Sequence, residues 1–194
     1  MRRCGLIDAD DSVLLVVDVQ DNFTCKLEPS QSRALLERVC WLIGVARWLH
    51  IPILVTVEDL GAVGGPSPQV SEVLPPGTPV LNKMVFGLAD QPDILAHVAQ
   101  TGRRTAVLVG LETDVCIMQS ALGLLAHGFF PVVVSDATGS PGDAHAAGLA
   151  RLRDAGVLVT HTKGLFYEWM RTVERSRRFE AECAALGVPP GLVL

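Results

Sequence analysis

The sequence predicts an α/β protein built on an open, doubly wound sheet of about six mostly parallel strands, with helices on both faces. Three observations predict it. Apolar runs rich in Val, Leu and Ile recur along the chain without the alternation of a half-exposed strand, the pattern of parallel strands buried on both faces. Segments with apolar residues at helical spacing separate those runs, which is the rhythm of βαβ units. A chain of 194 residues that is 49% hydrophobic holds enough apolar material for one sizeable core, and its length favours a single domain over residues 1–194.

The elements follow in order. "SVLLVVDV" at 12–19 reads as the first strand and "IPILVTVED" at 51–59 as the second. Between them Leu35, Leu36, Val39, Leu42, Ile43, Ala46 and Leu49 trace a helix face, with Ser30 or Ser32 as its cap. Residues 60–78, "LGAVGGPSPQVSEVLPPGT", are dense in Gly and Pro and read as a surface loop over a pocket. "PVL" at 79–81 is a short third strand. A helix over 93–102 ends at Gly102, a strand covers 105–111, and a helix over 114–127 ends at Gly128. "PVVVSDA" is then a strand, "DAHAAGLARLRDAG" a helix and "VLVT" a strand. The result is a Rossmann-like three-layer α/β/α core over about 12–160, followed by a C-terminal extension at 161–194. Its tail after Arg171 begins with basic residues and ends in the apolar "LGVPPGLVL", which suits packing on a neighbouring subunit or a loose tail.

Charge and composition narrow the partners. A net charge of −5 provides no basic footprint for nucleic acid or an anionic membrane surface. The apolar runs are too short to span a bilayer, and Asp8, Asp10 and Asp11 interrupt any secretory h-region after the basic start. Five cysteines, Cys4, Cys25, Cys40, Cys116 and Cys183, form an odd set without CxxC spacing, against a disulfide framework and a structural zinc site. A cytoplasmic protein acting on a small molecule is the expectation.

In open sheets of this kind ligands bind outside the carboxyl ends of the strands. Asp18 ends the first strand, Lys83 lies just beyond the third, and Cys116 sits where the strand at 105–111 turns into a helix. Singly, each has an ordinary explanation: a loop-orienting aspartate, a solvated lysine, a small core thiol. Together they make coherent chemistry. A helix N-terminus and an ammonium both stabilise a thiolate, and a partly desolvated carboxylate can accept the thiol proton. With two favourable influences against one carboxylate, the Cys116 pKa is expected below its ordinary value of about 8.5, and Cys116 is expected to label ahead of the other cysteines.

The blocks "LLVVDVQDNF", "NKMVFG" and "VGLETDVCIMQSAL" resemble the isochorismatase-like cysteine hydrolases, the superfamily that includes nicotinamidases and N-carbamoylsarcosine amidohydrolase. The similarity runs over roughly 12–160 in the same order. It implies a catalytic Asp18, Lys83 and Cys116, and hydrolysis of an amide or ureide C–N bond through a thioester. It also implies a cis peptide at Leu111–Glu112, with the N–H groups of Glu112 and Cys116 as oxyanion hole. Gln20, Phe23 and Phe86 are expected to line the substrate pocket, and the resemblance implies a homo-oligomer, a dimer or higher.

The chain also departs from the resemblance. Nicotinamidases carry a metal-binding Asp-x-His pair after the second strand, whereas here Asp59 is followed by Leu60 and Gly61, so neither a metal nor any other cofactor is expected. The five histidines, His50, His97, His127, His145 and His161, read as surface or capping residues. Isochorismatases proper cleave a vinyl ether and lack the nucleophilic cysteine, so Cys116 speaks against that activity. Asp136 is expected to satisfy backbone donors at a strand end, and Thr113 and Asp114 to cap the helix carrying Cys116. The alternative function is a catalytically idle scaffold of the same fold acting as an oligomeric protein-binding module. A nucleotide-binding oxidoreductase is disfavoured, because no GxGxxG or GxxxxGK[ST] pattern occurs.

Overall fold

The computed structural model of the chain describes residues 5–194; Cys4 lies outside them. Six strands, β1 (Ser12–Val17), β2 (Ile53–Glu58), β3 (Val80–Lys83), β4 (Thr105–Leu111), β5 (Phe130–Gly139) and β6 (Leu158–Thr160), form one parallel sheet in the order β3-β2-β1-β4-β5-β6. The helices are α1 (Asp21–Thr24), α2 (Pro29–Trp48), α3 (Leu60–Val63), α4 (Pro68–Val73), α5 (Pro92–Gln100), α6 (Met118–Ala126), α7 (Ala144–Asp154), α8 (Thr162–Met170) and α9 (Val173–Glu182).

Every side chain of β1 and of β4 is buried, and alternate residues feed opposite layers, as the period of two demands. Leu14, Val16, Val55, Val107 and Val109 pack with α2 and α8, which contribute Leu42, Ile43, Phe166 and Trp169. Val13, Leu15, Val17, Leu54 and Leu108 pack with α5, α6 and α7 through Ile94, Val98, Leu124 and Leu152. Gly110 lets β4 run close against β1. It has φ +122°, and a Cβ there would collide with the Val17 carbonyl oxygen.

Three expectations from the sequence are corrected. α2 starts at Pro29 with Glu28 before it, so Ser30 and Ser32 fall inside its first turn; proline at the first helical position, whose N–H has no intrahelical partner, starts the helix instead. Residues 60–78 contain the short helices α3 and α4, the first capped by Asp59, whose side chain accepts from the Ala62 N–H. The C-terminal extension forms α8 and α9 and folds back on its own chain. Trp41, Phe166 and Phe179 pack in tilted and edge-on pairs with ring centroids 5.1–6.1 Å apart, and Leu186, Leu192 and Leu194 pack onto the same core. Among the described residues no helix is long and apolar enough to cross a membrane, and Cys25, Cys40, Cys116 and Cys183 are free thiols.

Candidate active site

The strand order reverses between β1 and β4, and the carboxyl ends of β1 to β4 meet there, the position where doubly wound sheets bind ligands. Asp18 leaves β1 in a left-handed conformation at φ 51°. Its N–H donates to the Thr56 carbonyl, and the Thr56 hydroxyl donates to Asp18 Oδ1 at 2.9 Å, so the neighbouring strand fixes the carboxyl from two sides. Lys83, the last residue of β3, reaches back under the loops. Its Nζ lies 2.7 Å from Asp18 Oδ2, 3.0 Å from the Val85 carbonyl oxygen, and 3.4 Å from Cys116 Sγ. Both Asp18 and Lys83 are wholly buried, and Cys116 is 4% exposed.

Cys116 does not sit in an ordinary first helical turn. Thr113–Ile117 form a π-turn ahead of α6, in which the Val115 and Ile117 N–H groups both donate to the Glu112 carbonyl. Thr113 and Asp114, expected as caps, make no capping bond: Thr113 Oγ1 pairs with His145 Nδ1 at 2.9 Å, and Asp114 Oδ1 accepts from the Ser140 hydroxyl at 2.6 Å. His145 is therefore neither a bare surface residue nor a cap. Burial, with the Arg153 charge, lowers its pKa. The Leu111–Glu112 peptide bond is cis, and Glu112 sits beside the thiol turn with its carboxylate paired to Lys26 at 2.8 Å.

The structure adds a residue that the sequence reading passed over. Glu58, the last residue of β2, lies in register with Lys83, and its Oε2 is 3.4 Å from Lys83 Nζ and 3.4 Å from Cys116 Sγ. Its signal was its place at a strand's carboxyl end, the same one that singled out Asp18. Gln20 acts on the site through Glu58: its Oε1 accepts from the Glu58 N–H at 2.8 Å, and its Nε2 donates to the Glu58 and Gly64 carbonyls at 3.0 and 2.7 Å. Buried and so engaged, Gln20 braces the Glu58 and Gly64 backbone with its amide. Phe23 is partly buried against the core beneath the Lys26 ammonium, 4.6 Å from its ring centre. Phe86 is 54% exposed on the loop after Lys83. Asp136, away from the site, accepts from the Thr162 N–H and hydroxyl, but it lies inside β5, which runs on to Gly139, and not at the strand end that was expected.

The protonation states follow from burial and neighbours. Burial raises the Cys116 pKa, and the Asp18 charge and hydrogen bond and the Glu58 charge raise it further, against Lys83. The sequence expectation of a lowered pKa is thus corrected. It counted one carboxylate where there are two, and gave burial too little weight. Burial also raises Asp18, opposed by the Lys83 ammonium and by hydrogen bonds from Lys83, Cys116 and Thr56. For Lys83, burial disfavours the ammonium, but Asp18, Cys116 and Glu58 more than compensate and raise its pKa. The resting site is a thiol beside an ammonium and two carboxyl groups. Carboxylate oxygens of Asp18 and Glu58 and the Cys116 sulfur lie within 4.8 Å of one another and could hold a metal ion. The Lys83 ammonium is already hydrogen-bonded or ion-paired to all three side chains, so a divalent cation would have to displace it.

Residues 12–164 match the isochorismatase domain family. The chain belongs to that family. Among its relatives, the secreted isochorismatase effector Isc1 of Phytophthora sojae is 28% identical over 172 residues, 86% of this chain and 80% of that protein. Isochorismatase domain-containing protein 2 of Bos taurus is 28% identical over 166 residues, 84% of this chain and 78% of its own length. Among solved structures, the MAR1 ribonuclease of Caenorhabditis elegans superposes with a TM-score of 0.85 at 25% identity, covering 98% of both chains. YcaC of Escherichia coli, described as an octameric hydrolase of unknown specificity, superposes with a TM-score of 0.83 at 24% identity, covering 96% of this chain and 91% of its own. Isochorismatase-family proteins are generally hydrolases, and this chain has their fold.

Proposed function

We propose that this isochorismatase-family protein is a metal-independent cysteine hydrolase that cleaves a C–N bond of a small amide or ureide. The observation that supports it most is the convergence of Asp18, Lys83 and Cys116 in one buried cluster at the point where the sheet order reverses. Asp18 accepts the thiol proton as Cys116 Sγ attacks the carbonyl carbon, and the N–H groups of Glu112 and Cys116 receive the developing oxyanion. Collapse of the tetrahedral adduct breaks the C–N bond, and Asp18 returns the proton to the leaving nitrogen. Water then hydrolyses the thioester, giving the acid and regenerating the thiol. Lys83 is ion-paired to Asp18 in the resting site, and once Asp18 takes the proton the ammonium offsets the charge on the Cys116 sulfur. Because the resting thiol is protonated, proton transfer to Asp18 is coupled to substrate binding and attack. The free thiols suit a reducing, cytoplasmic setting.

The test is a screen of small amides and ureides for ammonia or amine release. Cys116→Ala should abolish turnover, by at least about a thousandfold on the scale of lost nucleophilic catalysis, with an unchanged circular dichroism spectrum. Retained turnover in that variant would exclude the mechanism. Exhaustive chelation should leave the rate unchanged; loss of activity restored by zinc or manganese would place an ion on the Asp18, Glu58 and Cys116 cluster instead. If no amide is turned over and Cys116 proves unreactive, the idle protein-binding scaffold becomes the better reading.

A further inference from the structure

We infer that Glu58 makes the approach to Cys116 an anion-excluding entrance, so that the substrate is a neutral or cationic amide or ureide carrying N–H donors, and carboxylate- or phosphate-bearing compounds are rejected. This rests on the proposed hydrolase reading for the word substrate, but the entrance itself is a property of the site.

Exposure supplies the first argument. Asp18 and Lys83 are wholly enclosed and Cys116 nearly so, whereas the Glu58 side chain keeps 23% of its surface open. Glu58 is thus the part of this cluster that faces outward, and its Oε2 stands 3.4 Å from the reacting sulfur. On this inference the way to Cys116 runs past this carboxylate.

Charge supplies the second. Counted formally, with the thiol neutral, the two acids Asp18 and Glu58 stand against one ammonium, a formal net charge of about −1. Moving the thiol proton to Asp18 leaves that total unchanged. The cation is also spent: Lys83 Nζ is shared among Asp18 Oδ2, Glu58 Oε2, Cys116 Sγ and the Val85 carbonyl. The nearby Glu112 carboxylate is balanced by Lys26 and adds little. An incoming anion finds an uncompensated carboxylate in surroundings where water screens poorly, and an N–H or ammonium group finds an acceptor.

Rigidity supplies the third. Gln20 holds the Glu58 peptide by its N–H and its carbonyl, and the register of β2 on β3 sets Glu58 beside Lys83. The carboxylate is anchored, so swinging aside to admit an anion would break its bonds to Lys83 and Cys116.

The experiment compares alkylation of Cys116 by iodoacetamide, which is neutral, and iodoacetate, an anion of nearly the same size. The full-length protein is used, with peptides quantified by mass spectrometry and the exposed Cys25 as reference in the same sample. The ratio of the two rates cancels differences in thiolate fraction. It should be at least about tenfold larger at Cys116 than at Cys25. Glu58→Gln should bring it close to the Cys25 ratio, and Glu58→Asp should preserve most of the preference. If Glu58→Gln does not fold, the wild-type ratio decides alone. Equal ratios at the two cysteines, an unchanged ratio in a folded Glu58→Gln, or no labelling of Cys116 by either reagent would each overturn the inference. The two readings fail separately. A strong charge preference without turnover of any amide keeps the entrance and removes the hydrolase, whereas turnover of anionic amides as fast as neutral ones removes the entrance alone.

Discussion

The proton on Cys116 links the chemistry of the site to the stability of the fold. Its pKa is raised, first by burial and then by Asp18, so above the ordinary thiol range the folded protein holds a proton that the unfolded chain releases. The sign is therefore fixed: this contribution is fully present below the unfolded thiol value, near 8.5, and is lost as pH rises above it. Between pH 9 and 10.5 the wild type should lose stability relative to Cys116→Ala by about 1.4 kcal/mol per pH unit, the limit for one proton. Denaturant unfolding of both proteins across that range checks it, and parallel curves would show that the thiol is not held protonated. Asp18 sets the other limb. Burial raises its pKa, so turnover should fall on the acid side at a pH above the usual carboxylate range, where a protonated Asp18 can no longer accept the thiol proton. A pH–rate profile whose acid limb lies at an ordinary carboxylate value would contradict this.

At the scale of elements, the cysteine turn is held from outside by α7. Gly148 on that helix approaches so closely that a Cβ would stand 2.9 Å from the Asp114 Cα and backbone nitrogen, and His145, on the same helix, bonds Thr113. Gly148→Val should therefore push α7 and the turn apart, lowering stability by about 1–3 kcal/mol and slowing turnover as Cys116 loses its aim. Thermal melts and kinetics on one preparation test both parts. A stable variant with wild-type kinetics would mean that α7 does not set the cysteine's position. These contacts also explain what could be read from the chain in advance. The strands were legible because burial on both faces removes polar residues from them, as in β1 and β4. The convergence of Asp18, Lys83 and Cys116 was legible because these polar residues stand where apolar runs stop, at the strand ends where such sheets bind ligands. The π-turn was not, since Thr113 and Asp114 suit a cap as well as the side-chain bonds they actually make. Glu58 escaped because the second strand reads on to Asp59 in the sequence, which puts Glu58 inside a strand, whereas β2 ends at Glu58 and its register on β3 sets it beside Lys83.

On the scale of the whole molecule, apolar surface gathers beside the site. β3 is an edge strand; Val80 on it, Met84 and Phe86 just after it, and Leu60 next to it are 43–67% exposed, and the Leu60 N–H bonds Asn82 of the same strand. An edge strand flanked by exposed apolar groups favours association, because burying them removes hydrocarbon from water and pairs the open edge. We therefore expect a homo-oligomer built on this face. Light scattering at micromolar concentration should give a multiple of 20.7 kDa, and Met84→Asp with Phe86→Asp should move it toward the monomer. The C-terminal segment has the opposite role from the one its apolar sequence suggests. Phe179 is 3% exposed against Trp41 and Phe166, and Leu186, Leu192 and Leu194 cover the same core, so truncation after Arg178 strips a layer from the chain's own interior. Loss of one buried phenylalanine alone costs about 3–5 kcal/mol. The truncated protein should melt well below the full chain while keeping its state of association as long as it stays folded. Dissociation without a drop in melting temperature would instead assign the tail to the interface and leave the β3 face exposed to solvent.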